Sequence, residues 1–355
     1  DSVPHERLIL KLKSYGITGF VLQWIERFLK DRVQRVRVGR DQSGSKDVIS
    51  GIPQGSILGP ILFTIFINDL PDVIQSYIKI FADDTKIFNS PQNSNIIQQD
   101  LNSLQQWSDT WQLKFNANKC KVLHIGKQNP CNSYYMQDND SQSIINSCSS
   151  EKDLGVTFDS DFTFDVHINT AINKANKMLG VIRRVFSFID KESFLNLYKS
   201  LVRPHLEYGN IIWYPFLKRQ SAAIERVQRR STKLIPELKH LSYTERLAAL
   251  RLPSLKTRRI RGDLIQTFKI FRQIDDLDVN KFFTTNQCNI TRNPLDKIFI
   301  QHCRTNLRKY SFTNRVAPLW NKLPDHVKLS PNLNTFKSLV DEQKFLKDIL
   351  YDFDN

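Results

Sequence analysis

Apolar side chains recur between residues 5 and 30 as Leu8, Leu10 and Leu12, then as Phe20, Leu22, Ile25 and Phe28, and the run is broken at residues 15–19, Tyr-Gly-Ile-Thr-Gly. This pattern predicts two helices joined by a glycine-containing turn. From 32 to 39, charged or polar residues alternate with valine, the period of a strand with one wet face, on which the arginines form a row. Pro60 stands where helices begin, and the apolar residues after it predict a buried helix ending near Pro71. Residues 76–82 and 85–88 read as strands on either side of Asp83 and Asp84. A helix over 96–111 then presents Ile97, Leu101, Leu104 and Trp111 on one face, and 119–126 reads as a strand.

Residues 127–152 are rich in Asn, Ser, Gln and Asp and look like a linker by composition, although the stretches on either side of 138–140 could pair as a hairpin. A strand signal follows at 152–159. Ile168, Ile172, Ala175, Leu179, Ile182 and Phe186 then repeat at spacings of four and three, an amphipathic helix whose other side carries Lys174, Lys177 and Arg184. Helical patterns continue through 250, so the second half is mainly α.

The chain has 355 residues, 40% hydrophobic and 23 of them Phe, enough for a substantial core and for two or three domains. Its longest apolar run, 57–67, is interrupted by Gly59, Pro60 and Thr64 and is well short of the roughly 18–20 residues of a membrane span. The start lacks Met and a signal-peptide order, which reads as an internal fragment of an intracellular protein of nucleus or cytoplasm, not a secreted one. Five scattered cysteines without a C-x-x-C pair argue for a reduced protein without structural zinc. The net charge of +15 calls for an anionic partner, with nucleic-acid phosphate the usual one. The charge is uneven: 218–261 holds 13 Lys or Arg against 3 Glu, a local +10, whereas 51–90 holds four Asp against two Lys, a local −2. Such a charge run is also what a merely solvated helix face looks like.

Asp83 and Asp84 carry the sharpest chemistry. Two carboxylates held together repel unless a hard cation sits between them, and Mg²⁺ prefers carboxylate and phosphate oxygens. Asp is also common in ordinary turns, so taken alone the pair reads first as a solvated hairpin turn. Its neighbours give it context. Residues 50–63 (SGIPQGSILGPILF), 80–88 (IFADDTKIF), 113–126 (LKFNANKCKVLHIG) and 152–159 (KDLGVTFD) occur in an order that resembles the reverse transcriptases, specifically those of non-LTR, LINE-type retrotransposons of the jockey kind. Residues 197–215, 224–236, 241–259 and 312–324 are similar to the downstream regions of those elements, so the likeness covers nearly the whole chain.

The resemblance implies a partial right-hand polymerase fold: an α/β (α+β) palm with an antiparallel sheet over 1–160, a mainly helical, nucleic-acid-binding thumb over 161–275, and a C-terminal region, 276–355, of unassigned role. It implies an RNA-directed DNA polymerase that extends a DNA primer on an RNA template from dNTPs, with two Mg²⁺, or Mn²⁺ in their place. Asp83 would be the main metal ligand and Asp84 its supporting carboxylate. Pro53, Gln54 and Gly55 match the P-Q-G block at the template and incoming nucleotide, and Lys119 the lysine beside the triphosphate. Leu154 and Gly155 match the primer-gripping strand; Lys174, Lys177, Arg184, Arg229, Arg230 and Lys233 are the candidate phosphate contacts. The residues at 1–5 match only the tail of the family pattern D-x-x-x-A-F-D-x-V-x-H, with Asp1 at its second Asp. The first Asp, the other essential ligand, would precede residue 1, so the chain as it stands is expected to bind metal weakly and to polymerise little. A basic nucleic-acid-binding remnant without catalysis is the alternative.

Overall fold

The computed structural model describes residues 2–138, 141–284, 297–343 and 346. Asp1, Cys288 and the residues between the strands at 138 and 141 lie outside the described residues. The chain divides into two compact units, Asp1–Ser149 and Ser150–Asn355.

In the first unit, α1 (His5–Ser14) and α2 (Gly19–Leu29) form as the pattern predicts. The turn between them is made at Gly16 and Gly19, both at positive φ, where a side chain would be strained. The buried positions of α1 include His5, Leu8, Ile9 and Leu12, at i, i+3, i+4 and i+7. Leu10, two positions from Leu8 and Leu12, falls on the outer side and is 51% exposed; Phe20, at the start of α2, is 80% exposed. Lys11 is buried instead. Its Nζ donates to Phe66 O and Asp69 Oδ1 and lies 3.9 to 4.7 Å from the ring centroids of Trp111, Trp107 and Phe66. Burial lowers its pKa against the opposing pull of Asp69.

The alternating valines do not form one strand. The segment breaks into β1 (Val33–Gln34) and β2 (Arg37–Val38), which pair with β4 (Lys46–Asp47) and β3 (Asp41–Gln42). All four are exposed, so no buried face enforces the period. Helix α3 (Leu58–Ile67) has Pro60 in its first turn, where its missing N–H costs nothing, and Pro71 sits in the 3₁₀ turn that follows. The hairpin β5 (Tyr77–Phe81) and β6 (Asp84–Phe88) leads to α4 (Ser94–Trp111). The expected face of α4 serves two cores: Leu104, Trp107 and Trp111 pack with Leu8, Leu12, Leu62 and Phe66, while Ile97 and Leu101 pack with Tyr134, Met136 and Ile145.

That second core sets aside the linker reading of 127–152 in favour of its alternative, a hairpin on either side of 138–140. After β7 (Lys121–Leu123), β8 (Tyr135–Asp138) pairs antiparallel with β9 (Ser141–Ile144), and β10 (Asn146–Cys148) runs parallel to β7. A few apolar residues on a hairpin fold a segment that is polar on average because they pack against a helix, here Ile97 and Leu101 of α4. Among the described residues the strands form two-stranded pairs, antiparallel except for β7–β10, rather than one broad sheet.

The second unit opens with the hairpin β11 (Ser150–Asp153) and β12 (Val156–Asp159), and the rest is helical: α5 (Asp165–Val185), α6 (Lys191–Leu197) and α7 (Arg203–Glu207). A π turn, Tyr198–Val202, joins α6 to α7 just before Pro204, whose missing N–H interrupts the α-helical ladder. Then come α8 (Lys218–Ser231), α9 (Tyr243–Leu250), α10 (Leu255–Phe271), α11 (Val279–Phe282), α12 (Asn306–Lys309), α13 (Phe312–Asn321), α14 (Asp325–Lys328) and α15 (Leu333–Glu342). Ile168, Ala175 and Ile182 of α5 are buried with Tyr198, Leu206, Trp213, Ile224 and Val227, as the spacing predicts; Phe186, last in that series, is 41% exposed. The far side of α10 carries a second core, where Leu264 and Phe268 meet Trp320, Val327, Phe336 and Val340. No helix among the described residues is long and apolar enough to cross a membrane.

Buried charges bind this unit. Glu225 accepts the Tyr243 hydroxyl and the Leu255 N–H at the start of α10. Arg315 of α13 donates Nε and Nη2 to the two carboxylate oxygens of Asp263 on α10, each at 2.8 Å, and Nη2 also to Ile211 O. Burial pushes the Asp263 carboxyl up while Arg315 pulls it down. Arg315→Met leaves Asp263 buried alone and is expected to destabilise the unit by about 3–5 kcal/mol in urea unfolding; adding Asp263→Leu should restore most of that loss. Equal stability of Arg315→Met and the native chain would contradict the assignment.

Candidate functional site

Asp83 and Asp84 stand at the tip of β5–β6. Tyr77 pairs with Phe88, Ile78 with Ile87, Lys79 with Lys86, Ile80 with Thr85 and Phe81 with Asp84, leaving Ala82 and Asp83 as a two-residue turn. Alternation turns Ile78, Ile80 and Ile87 onto the core beneath α3, and puts Asp84 on the opposite face with Tyr77 and Phe88, whose rings stack at 5.4 Å. The base is clamped by Asp100 of α4, a buried carboxylate accepting the Gln75 and Ser76 N–H groups at 2.8 and 2.9 Å. The tip is held in a conformation that non-glycine residues avoid: Ala82 has φ 52°, at a cost of about 1–2 kcal/mol. Both carboxylates are exposed.

The P-Q-G segment precedes α3. Ser56 Oγ donates to Pro53 O at 2.7 Å and accepts the Gly59 N–H at 3.0 Å, and a Cβ on Gly59 would meet Pro53 O at 3.0 Å. Gly55, at φ 78°, completes a turn that leaves Gln54 and Gly55 exposed and Pro53 half-buried. Just before it, His5 Nε2 lies 2.8 Å from Gly51 O, and the Gly51 N–H donates to Val3 O. Lys119 is exposed in a short 3₁₀ turn that Asn116 caps by accepting the Lys119 N–H at 3.2 Å. Ile52, Leu58, Phe115 and the hairpin isoleucines belong to one core, so P-Q-G, the Asp pair and the approach to Lys119 are mounted on a common base.

Oxygen donors are the right chemistry for a hard divalent ion, which takes at least six ligands. Asp83 and Asp84 are two such donors and would make only part of a set, and no group of three His, Cys, Asp or Glu side chains suited to a metal gathers among the described residues.

The stretch 152–159 is not the single strand its pattern predicts: Leu154 and Gly155 form the turn of the β11–β12 hairpin, with both φ positive, 43° and 86°. Their surroundings give Gly155 a local reason: a Cβ there would lie 2.8 Å from the Tyr208 ring. The Tyr208 hydroxyl donates to Leu154 O at 2.8 Å, Trp213 Nε1 donates to Tyr208 O, and His167 Nδ1 accepts the Thr157 N–H at 3.2 Å. Leu154 itself is 43% exposed. None of Tyr208, Trp213 or His167 stood out in the sequence, since their roles come from contacts across distant positions; nor did Asp100.

Lys174, Lys177 and Arg184 are exposed on α5. Arg229, Arg230 and Lys233 line a groove between α5 and α8, together with Arg226, whose place there comes from the packing of the two helices. The +10 stretch is not all surface. Arg246 and Arg259 are buried, and Arg219, Arg258 and Arg261 pair with Asp165, Glu207 and Asp341.

Residues 1–182 match the family described as reverse transcriptase (RNA-dependent DNA polymerase), and the chain belongs to that family. Its relatives narrow the group to jockey-like, non-LTR members. It is 28% identical over 225 residues to the RNA-directed DNA polymerase from mobile element jockey of Drosophila melanogaster, covering 59% of this chain and 24% of that protein. The jockey counterpart of Drosophila funebris is 29% identical over 229 residues, again 59% and 24%. A probable RNA-directed DNA polymerase from transposon BS of Drosophila melanogaster is 27% identical over 263 residues, 67% of this chain and 28% of the relative. The chain thus spans about a quarter of the length of these relatives.

Burial, with Lys174 adding to it, holds the His167 pKa below its usual 6.5. The Thr157 N–H needs the neutral ring as acceptor. Stability from His167 is therefore complete above about pH 6.5 and is lost as pH falls through the lowered folded value. Urea midpoints of the second unit should drop as the pH is lowered from about 6.5, and less so in His167→Gln; equal drops in both chains would contradict this.

Proposed function

We propose that this chain is the palm and thumb portion of an RNA-directed DNA polymerase, which extends a DNA primer on an RNA template from dNTPs. The observation that carries it is the Asp83–Asp84 hairpin tip, exposed and mounted on one core with the P-Q-G segment, in a chain of the reverse transcriptase family. Asp83 and Asp84 would hold Mg²⁺, or Mn²⁺ in its place, together with nucleotide phosphate oxygens and a further carboxylate. When bound, the ion would activate the primer 3′-hydroxyl and neutralise charge on the leaving pyrophosphate.

Around it, Gly55 presents bare backbone at a bend, which suits close approach of a base or nucleotide, with Pro53 and Gln54 beside it. Lys119, free of ion pairs among the described residues, is suited to donate to the leaving phosphates. In this reading the palm covers 1–160 and the helical thumb 161–275. Leu154 and Gly155 guide the primer strand at their junction, and Lys174, Lys177, Arg184, Arg229, Arg230 and Lys233 meet phosphates. The C-terminal region would brace the thumb through the Asp263–Arg315 pair. A second reading, a nucleic-acid-binding chain without catalysis, is favoured by the two-carboxylate donor set.

Primer extension on a homopolymeric RNA template separates the two, using the chain joined to the family's upstream first-Asp block, with dNTPs and Mg²⁺. Incorporation that falls at least ~100-fold in Asp83→Asn, with nucleic-acid affinity retained, is the expected result. No incorporation by the native sequence would leave the binding reading alone standing.

A further inference from the structure

The groove between α5 and α8 has a volume of about 390 Å³. Arg226, Arg229 and Arg230 line it from α8 at i, i+3 and i+4, and Lys233, in the 3₁₀ turn that follows α8, continues the row of cations. The row is about 10 Å long, enough to meet roughly two or three successive phosphates of one strand. No carboxylate lines the groove, and none of the four cations has an ion pair among the described residues. Two of the guanidinium groups are already positioned: Arg230 Nη2 donates to Asn176 Oδ1 at 2.7 Å, and Arg229 lies 4.8 Å over the Tyr243 ring. Less freedom is then lost when an anion binds.

The remaining lining decides what kind of anion fits. Ile172 and Ala223 give the recess apolar walls, and Asn169 adds an amide able both to donate and to accept. A strand with its phosphates on the cations can rest its sugars against Ile172 and Ala223. In a duplex the bases are paired inward, and only the phosphates could touch the rim. No aromatic ring lines the groove, so base stacking, the usual source of base preference on a single strand, has no platform here.

We propose that the α5–α8 groove is a sequence-independent site for the phosphate backbone of a single nucleic-acid strand, gripped by Arg226, Arg229, Arg230 and Lys233. The proposal rests on the reading of the second unit as nucleic-acid-binding, and not on polymerase activity. In primer extension such a site would hold unpaired template apart from the paired product.

The test is fluorescence anisotropy of the full chain with labelled oligo(U), oligo(dT) and a blunt duplex over a series of salt concentrations. Replacing the four cations by Gln should weaken binding of both single strands at least ~30-fold at low salt and reduce their log–log salt slope by about 2, from ~0.7 for each of the two or three phosphate contacts. Duplex affinity should change less than ~3-fold. Ala223→Glu, which fills the groove and engages the cations on a helix that tolerates Glu, should give the same selective loss even if the fourfold variant folds poorly. Equal losses for duplex and single strands, or no loss for either, would overturn the groove while leaving nucleic-acid binding in place. A native chain that binds none of the three probes would overturn the underlying reading as well.

Discussion

The use of Asp83 and Asp84 depends on the register of one hairpin. Side chains alternate with a period of two, so a slip of one residue would expose Ile78, Ile80 and Ile87 and turn Lys79 and Lys86 toward the core. The Asp100 carboxylate opposes that slip by taking two backbone N–H groups at the start of β5, and the Tyr77–Phe88 stack opposes it again at the open end. With the base fixed, the tip tolerates a strained Ala82 and two adjacent, exposed carboxylates. Strain kept where the surroundings determine the fold is a common mark of a working site.

The β11–β12 hairpin follows the same logic with different parts. Leu154 and Gly155 take a turn with two positive φ angles, and the fold holds it from behind with Tyr208, Trp213 and His167. In the helical unit, charge is sorted by depth. Glu225 and the Asp263–Arg315 pair are buried and hydrogen-bonded, joining α8, α9, α10 and α13, whereas Arg226, Arg230 and Lys233 remain at the surface and available to an anion. A buried ion pair contributes less to stability than its Coulomb attraction suggests, but it penalises arrangements that would separate its members.

Much of this was legible in the sequence because it follows from period and order. The two opening helices, the strands flanking the Asp pair and the face of α5 are local patterns that burial later enforced. The failures have physical causes. The Val33–Val38 alternation has no buried face to hold it, and Leu10 lies at the wrong helical spacing; in 127–152 the polar composition pointed to a linker, while the hairpin pattern that also stood there forms around a few apolar side chains. The supports of the candidate site were not legible at all. Asp100 reads as one more polar residue on a helix, Lys11 as a surface lysine, and Tyr208 as part of a polar turn; only long-range contacts give them roles. The +10 stretch likewise looked like one basic surface until Arg246 and Arg259 proved to be internal.

The central claim is that the hairpin tip is the divalent-cation end of this chain. Residue-resolved paramagnetic broadening by Mn²⁺ tests it most directly. The account predicts broadening centred on Ala82, Asp83, Asp84 and Thr85, strengthened by added dNTP and abolished in Asp83→Asn/Asp84→Asn. Broadening centred elsewhere, or unchanged in that double variant, would contradict it.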